Sequence, residues 1–146
     1  IFGSLVFGRL GDSLSKKSLL SLLYALRTVV ISLFLAIPLS DLTAIAFGAA
    51  IGFLWLATVP LTSGIVAQVF GTRYLTTLWA IVFFSHQLGA FLGVWLGGRV
   101  YDSTGSYTTV WLAAIVLGLI AAVVHLPIRE QPWQPSLPAP QPAAGD

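Results

Sequence analysis

Two ionisable side chains lie deep inside long apolar stretches of this sequence, where such groups are rare and often functional. Arg27 lies about 14 Å from Ser18 along a helix that rises 1.5 Å per residue, and its guanidinium could recognise an anion. His86 lies in the middle of another apolar stretch. Because an imidazole titrates at about pH 6.5 in water, His86 could exchange protons.

Both residues also have a structural interpretation. No Asp or Glu lies inside an apolar stretch as a counter-ion, so Arg27 could direct its guanidinium to an internal carbonyl or to the polar edge of its segment, helped by Tyr24 one turn earlier. His86 could be a neutral ring whose nitrogen is satisfied by a carbonyl or a hydroxyl. We favour the structural interpretation of each and keep anion recognition and proton coupling as hypotheses.

A third group of polar side chains surrounds a proline. Pro60 has no N–H group, so the carbonyl of Leu56 loses its helical donor and a bend or local unwinding is expected. Trp55, Thr62 and Ser63 share one face of this helix and are candidates for lining a cavity. The alternative is that Trp55 packs against another helix and that the two hydroxyls bond back to their own backbone carbonyls.

An intramembrane hydrolase is the enzymatic alternative. It would pair Ser63 as nucleophile with His86 as base, in hydrogen-bond contact and beside an oxyanion site. The tripeptide around Ser63 is too short to count as a nucleophile motif, there is no His-Glu-x-x-His metal motif, and there is no cysteine. The sequence therefore predicts no enzyme, no catalytic residue, no metal site and no cofactor.

The composition places these residues in lipid. Hydrophobic residues make up 57% of the 146 positions and charged residues only 8%, whereas ordinary soluble domains have about 25% charged residues. The net charge of +2 is small and dispersed, which argues against a nucleic-acid partner. The expected surroundings are a lipid bilayer.

The apolar stretches are long enough for helices that cross the bilayer, which requires about 20 residues each. We predict an all-α membrane protein with spanning helices at residues 18–39, 42–69 (bent at Pro60), 75–98 and 108–126. Residues 1–7 are interpreted as the end of a helix whose beginning is missing, and residues 8–17 as a loop. Residues 127–146 are rich in proline, which predicts a disordered tail.

The basic residues predict the orientation, because positive residues are retained on the cytoplasmic side. The loops alternate between the two sides of the membrane. One side receives Arg9, Lys16, Lys17, Arg73 and Arg129, whereas the other receives only Arg99. The first side, which includes the C-terminal tail, is therefore predicted to be cytoplasmic.

The loop at residues 8–17 resembles the interhelical motif of the major facilitator superfamily. That motif has a glycine, an aspartate four residues later, a basic residue directly after the aspartate, a second glycine and a basic pair. Gly8, Asp12, Lys16 and Lys17 match it in register. Ser13 replaces the basic residue, and Ser15 replaces the second glycine. The resemblance implies that Asp12 stabilises one of two transport conformations; the alternative is a simple helix-connecting turn.

The succession of helices extends this resemblance over the whole chain except the tail. It implies the C-terminal portion of the 12-helix fold, from the end of the eighth helix to the twelfth. The stretch from Ser85 to Gly89, and onward to Tyr107, is similar to bacterial carriers related to monocarboxylate porters. The resemblance also implies that the helix of Trp55 lines a central cavity and that the ninth helix, which contains Arg27, is peripheral.

The predicted helix 75–98 contains glycines with a regular spacing. Gly89, Gly93 and Gly97 are four residues apart and share a face. Small residues allow close approach of helices in lipid, where no hydrophobic force draws helices together. We therefore predict that this face packs against another helix.

The function expected from these features is secondary transport of a small solute, with a carboxylate as the candidate class, by alternating access. The protein would be a multi-pass component of the bacterial inner membrane, and its partners would be the solute, the bilayer and a missing N-terminal half. A structural membrane subunit and a non-functional remnant are the remaining alternatives.

Overall fold

In a computed structural model, which describes residues 2–132, the protein consists of six α-helices. They are α1 (Phe2–Ser13), α2 (Lys16–Ala36), α3 (Asp41–Leu56), α4 (Thr58–Phe70), α5 (Leu75–Thr104) and α6 (Thr108–His125). No strand occurs in residues 2–132, and the expected all-helical fold class is confirmed. The greater part of the predicted tail, residues 133–146, lies outside the described residues.

Four helical segments of the described part are long and apolar enough to cross a membrane. They are Lys16–Ala36, Asp41–Phe70 (α3 followed by α4), Leu75–Thr104 and Thr108–His125. The last two begin close to their predicted positions, but α5 continues beyond residue 98 to Thr104. It ends there because Gly105 adopts a left-handed conformation with φ of 69°, which glycine tolerates without strain.

The first helix is longer than predicted. α1 continues through Ser13, so most of the segment interpreted as a loop at residues 8–17 is helical. Gly11 in this segment is buried, and a Cβ atom there would lie 2.8 Å from Leu61 Cδ2, so the helix packs closely against α4. The connection to α2 is reduced to two residues, and the side chain of Ser15 accepts a hydrogen bond from the Ser18 N–H to cap α2.

The long segment Asp41–Phe70 is broken, as its proline predicted. The break lies at Ala57, between the end of α3 and the start of α4, three residues before Pro60. The pyrrolidine ring crowds the preceding turn as well as removing an N–H donor, which explains why the distortion precedes the proline. Ala57 itself is fully buried.

The core of the described residues lies around this break. Its buried members come from α1, α2, α3 and α4 and from the break itself: Phe7, Leu19, Leu20, Leu23, Leu54, Ala57 and Leu61. α1 approaches α3 so closely that a Cβ atom on Gly3 would collide with the Phe53 carbonyl oxygen. The helix break is therefore enclosed by two other helices.

α2 and α6 form another close pair. A Cβ atom on Gly118 would collide with Thr28 Oγ1, and Ser21 Oγ donates a hydrogen bond of 2.7 Å to the Ala122 carbonyl. Near the end of α6 the rings of Tyr24 and His125 stack with their centroids 5.0 Å apart. This pairing fixes the His125 ring against α2.

α5 is mostly exposed and touches only α4 and α6 within residues 2–132. A Cβ atom on Gly97 would lie 3.8 Å from Val110 on α6. At Gly89 and Gly93 a Cβ atom would meet no other atom of the described residues within 4 Å. The helix that would pack against this face of α5 is therefore not among those helices, and the packing role of the three glycines stays a prediction.

Residues 127–132, the described part of the predicted tail, form no helix or strand but contact two other helices through Glu130. The Glu130 carboxylate accepts a hydrogen bond from the Lys17 N–H at the start of α2, and the Glu130 carbonyl accepts one of 2.8 Å from Gln68 Nε2 on α4. The first N–H groups of a helix lack partners inside it, and its N-terminus favours an anion. Glu130 meets both requirements, which composition alone does not reveal.

Candidate functional site

A cavity of about 380 Å³ lies beside the helix break and combines polar and aromatic side chains. Four helical segments contribute to its wall: α2, the broken α3–α4 segment, α5 and α6. The lining residues are Tyr24, Trp55, Thr58, Val59, Thr62, Trp79, Val82, Phe83, Ser85, His86 and His125. None of these lining residues is acidic.

Three of the predicted site residues meet in this cavity. Trp55, Thr62 and His86 line it, although His86 belongs to a different helix from the other two. The Thr62 hydroxyl donates to the Thr58 carbonyl at 2.8 Å, as the structural alternative proposed. Of the three residues, Trp55 supplies an aromatic ring to the cavity wall and His86 supplies an imidazole.

Ser63 does not line the cavity. Its hydroxyl is directed to the backbone of its own helix, at 3.0 Å from the Val59 carbonyl oxygen and 3.2 Å from that of Pro60. No hydrogen bond joins it to His86 in the described part of the chain. The Ser–His pair that a hydrolase would require is therefore not formed.

Arg27 does not line the cavity either, but it contacts Trp55, which does. Its Nη2 atom donates to the carbonyl oxygens of Leu54 at 2.7 Å and Trp55 at 3.0 Å, and lies 3.4 Å from Thr58 Oγ1. Arg27 Cζ lies 5.1 Å from the centroid of the Tyr24 ring and 5.1 Å from that of the Trp55 ring, within reach of cation–π attraction. These contacts agree with the predicted internal-carbonyl role.

The Leu56 carbonyl, which Pro60 deprives of its helical donor, has a replacement partner on α1. Ser4 Oγ donates to it at 2.8 Å. The last carbonyls of α3 thus receive hydrogen bonds from two neighbouring helices. The sequence predicted a free carbonyl at this position, but not which side chain satisfies it.

His125 is a cavity residue that the sequence did not indicate, because it lies at the end of a span and was expected at the membrane interface. Its Nδ1 atom lies 2.6 Å from the Ala121 carbonyl oxygen, which can only accept a hydrogen bond. Nδ1 therefore carries the proton, and only Nε2 is left for a ligand. With His86 on α5, the cavity has two imidazoles on different helices.

The four motif residues are separated by the structure. Asp12 is exposed near the end of α1 and forms no ion pair within residues 2–132. The basic pair faces another part of the chain: Lys16 Nζ donates to Gln68 Oε1 at 3.1 Å, and the Lys17 N–H donates to Glu130. A Cβ atom on Gly8 would lie 3.9 Å from Pro60 Cβ. The conformational role of Asp12 stays a prediction.

Comparison with known proteins assigns the family. The sequence model of the Major Facilitator Superfamily matches residues 1–144. The chain belongs to the Major Facilitator Superfamily. Its helices are accordingly those of a multi-pass integral membrane protein, with a part of the superfamily fold.

Two relatives of this superfamily member have curated names. An uncharacterized MFS-type transporter, YcxA, of Bacillus subtilis (strain 168) is 32% identical over 132 residues, which cover 86% of this chain and 32% of that protein. Monocarboxylate transporter 12 of Mus musculus is 25% identical over 144 residues, covering 91% of this chain and 30% of that protein. The chain spans about a third of the length of these relatives. No solved structure matches it. Both relatives are named as transporters.

Proposed function

We propose that the complete protein is a secondary active transporter that moves a small solute by alternating access, and that the cavity forms part of the solute pathway. The observation that carries the proposal is the position of the cavity, beside a broken helix and among four spans. Discontinuous helices with freed backbone groups recur at the solute sites of secondary transporters. The described chain supplies one wall, and the N-terminal half of the protein supplies the other.

The solute class that fits the lining is a small carboxylate. The wall offers imidazole and indole groups and no acidic side chain, whereas the hydroxyls of Thr58, Thr62 and Ser85 donate to backbone carbonyls. The N–H donors of the rings suit a ligand with hydrogen-bond acceptors, and no carboxylate of the wall repels an anion. His86 is the group that would donate to the carboxylate, and it is the proposed coupling residue for protons. His125, whose Nδ1 proton is held by the Ala121 carbonyl, could donate through Nε2 only as the doubly protonated imidazolium. The mouse relative is named as a monocarboxylate transporter, which agrees with this class.

The orientation is proposed from the charges, and the membrane is proposed from the similarity to bacterial carriers. The protein lies in the bacterial inner membrane with the C-terminal end of the chain in the cytoplasm. Contacts from Lys16 to Gln68 and from Lys17 to Glu130 bring the start of α2, the end of α4 and the segment after α6 together. Most of the basic residues, which favour the cytoplasm, therefore gather at one end of the helices.

Uptake by the complete protein in liposomes tests the proposal. A labelled small monocarboxylate should accumulate when a proton gradient is imposed. The His86→Gln variant should lose roughly tenfold or more of this uptake, because a glutamine amide can still donate a hydrogen bond but cannot take up or release a proton. Trp55→Leu should also reduce uptake, whereas Trp95→Leu, on a residue of α5 outside the cavity, should not. Full gradient-driven uptake by His86→Gln between about pH 5.5 and 8 would reject the coupling role.

A further inference from the structure

Arg27 is the one charged side chain in the interior of a span within residues 2–132, and it has no acidic partner there. Its positive charge lies at the C-terminal end of α3, where the Leu54 and Trp55 carbonyls accept its hydrogen bonds. The backbone dipoles of a helix add up to a partial negative charge at this end. The end of the broken helix therefore takes the place of a counter-ion.

The break creates this arrangement. In an unbroken helix each of these carbonyls would face the N–H group four residues later, and no outside donor would be needed. The last carbonyls of a helix lack such donors, and Arg27 supplies one from a neighbouring helix. The geometry of Arg27 is suited to this task, because Nη2 reaches two consecutive carbonyls and also lies 3.4 Å from Thr58 Oγ1 at the start of α4.

The same contacts connect Arg27 with the cavity wall. Trp55 is held twice, through its carbonyl and through its ring, whose centroid lies 5.1 Å from Arg27 Cζ. Thr58, also a lining residue, donates to the Trp55 carbonyl at 2.8 Å. Nη2 is engaged by the backbone, and Nε is buried without a hydrogen-bond partner in the described residues, so a solute carboxylate could bind these two nitrogens only by displacing carbonyls and opening the packing around Nε.

We propose that Arg27 is a positioning residue that braces the break between α3 and α4 and so fixes Trp55 and Thr58 in the cavity wall, and that it does not bind the solute. Its importance for transport rests on the proposed function. The bracing itself does not, since it is made entirely by contacts within the chain.

Hydrogen exchange of the complete protein in lipid nanodiscs, with no solute present, tests the bracing. In Arg27→Gln, amides in residues 52–64 should exchange roughly tenfold or more faster than in the unmodified protein, because hydrogen bonds to a charged donor are lost. Arg27→Lys keeps the charge at the helix end and should show an intermediate rate. Arg99→Gln is the matched control, because it removes an arginine that also contacts an aromatic ring but lies far from the break. Arg99 Cζ is 5.3 Å from the centroid of the Trp95 ring, and both residues belong to α5.

Uptake measurements separate positioning from solute binding. Bracing predicts faster exchange near the break in both Arg27 variants before any solute is added, and unchanged exchange in the Arg99 variant. The proposal is overturned if exchange stays unchanged while KM for an anionic solute rises, since Arg27 would then be a ligand. If Arg27→Gln does not fold, the comparison of Arg27→Lys with the unmodified protein decides the question. Exchange is readable even if the protein transports nothing, so failure of the proposed function and failure of the bracing are distinguishable.

Discussion

Ser4 and Pro60 should be coupled energetically, although they lie on different helices. The proline leaves the Leu56 carbonyl without a helical donor, and Ser4 Oγ supplies one at 2.8 Å. Replacing Pro60 by alanine would restore an N–H group at the position from which an α-helix normally bonds residue 56. The Leu56 carbonyl would then have a helical donor and would no longer depend on the hydrogen bond from Ser4.

The expected size of this coupling follows from hydrogen bonds inside membrane proteins, which contribute about 0.6 kcal/mol on average and at most about 1.7 kcal/mol. Ser4→Ala should therefore lower the free energy of unfolding by about 1 kcal/mol when Pro60 is present. That cost is in the upper part of the range because the carbonyl has lost its helical donor. In the Pro60→Ala background the same substitution should cost close to zero.

A double-mutant cycle measures the coupling directly. The four proteins would be unfolded at equilibrium by increasing SDS in mixed micelles, with helix content followed by circular dichroism. Ser13→Ala is a suitable control, because Ser13 Oγ lies 3.4 Å from a carbonyl of its own helix, that of Leu10. An equal cost of Ser4→Ala in both backgrounds would refute the idea that the hydroxyl replaces the missing amide.

Two further substitutions test other contacts. Gly118→Ala should destabilise the protein by about 1–3 kcal/mol in thermal unfolding, because the added Cβ atom would collide with Thr28 Oγ1. Gly98→Ala is the control and should have a much smaller effect, since a Cβ atom there meets nothing within 4 Å in the described chain. Glu130→Gln should lower stability by about 0.3–1 kcal/mol at low ionic strength, since it removes the anion at the N-terminus of α2. Raising the salt concentration should shrink that difference, and a difference independent of salt would argue against an electrostatic role for Glu130.

The helices and the break could be predicted because they depend on local features. Apolar length fixes how many segments can cross a membrane, and a proline distorts its own helix whatever surrounds it. The sequence thus indicated both the distortion near Pro60 and the free carbonyl of Leu56. It did not locate the break at Ala57, because the burial of that residue depends on two other helices.

The partners across helices could not be read from the sequence. Arg27 contacts backbone carbonyls of Leu54 and Trp55, and a carbonyl has no signature in the sequence. The regular spacing of Gly89 and Gly93 predicted close packing, but in the described residues the closest approaches occur at Gly3 and Gly118, which no periodic pattern indicated.

The cavity itself could be predicted only in part. Trp55 and His86 were indicated because an aromatic face beside a proline and an imidazole in an apolar stretch are unusual. His125 was not, since a titratable residue at the end of a span is ordinary at a membrane interface. Its place in the cavity results from stacking on Tyr24, a contact that depends on how α6 packs against α2.

Solute protection of single cysteines tests the central claim, that a solute occupies this cavity, most directly. The 146 residues contain no cysteine, so two single substitutions each introduce one thiol. Ser85→Cys lies in the cavity on a residue with no proposed role in solute binding, and the control Ser103→Cys lies on an exposed residue near the end of α5, outside the cavity. In the complete protein, freed of any other accessible thiol, a membrane-impermeant maleimide should label both positions, and a transported monocarboxylate should slow labelling at position 85 without affecting position 103. Labelling at position 85 that the solute leaves unchanged, while uptake of the same solute proceeds, would contradict the proposed pathway.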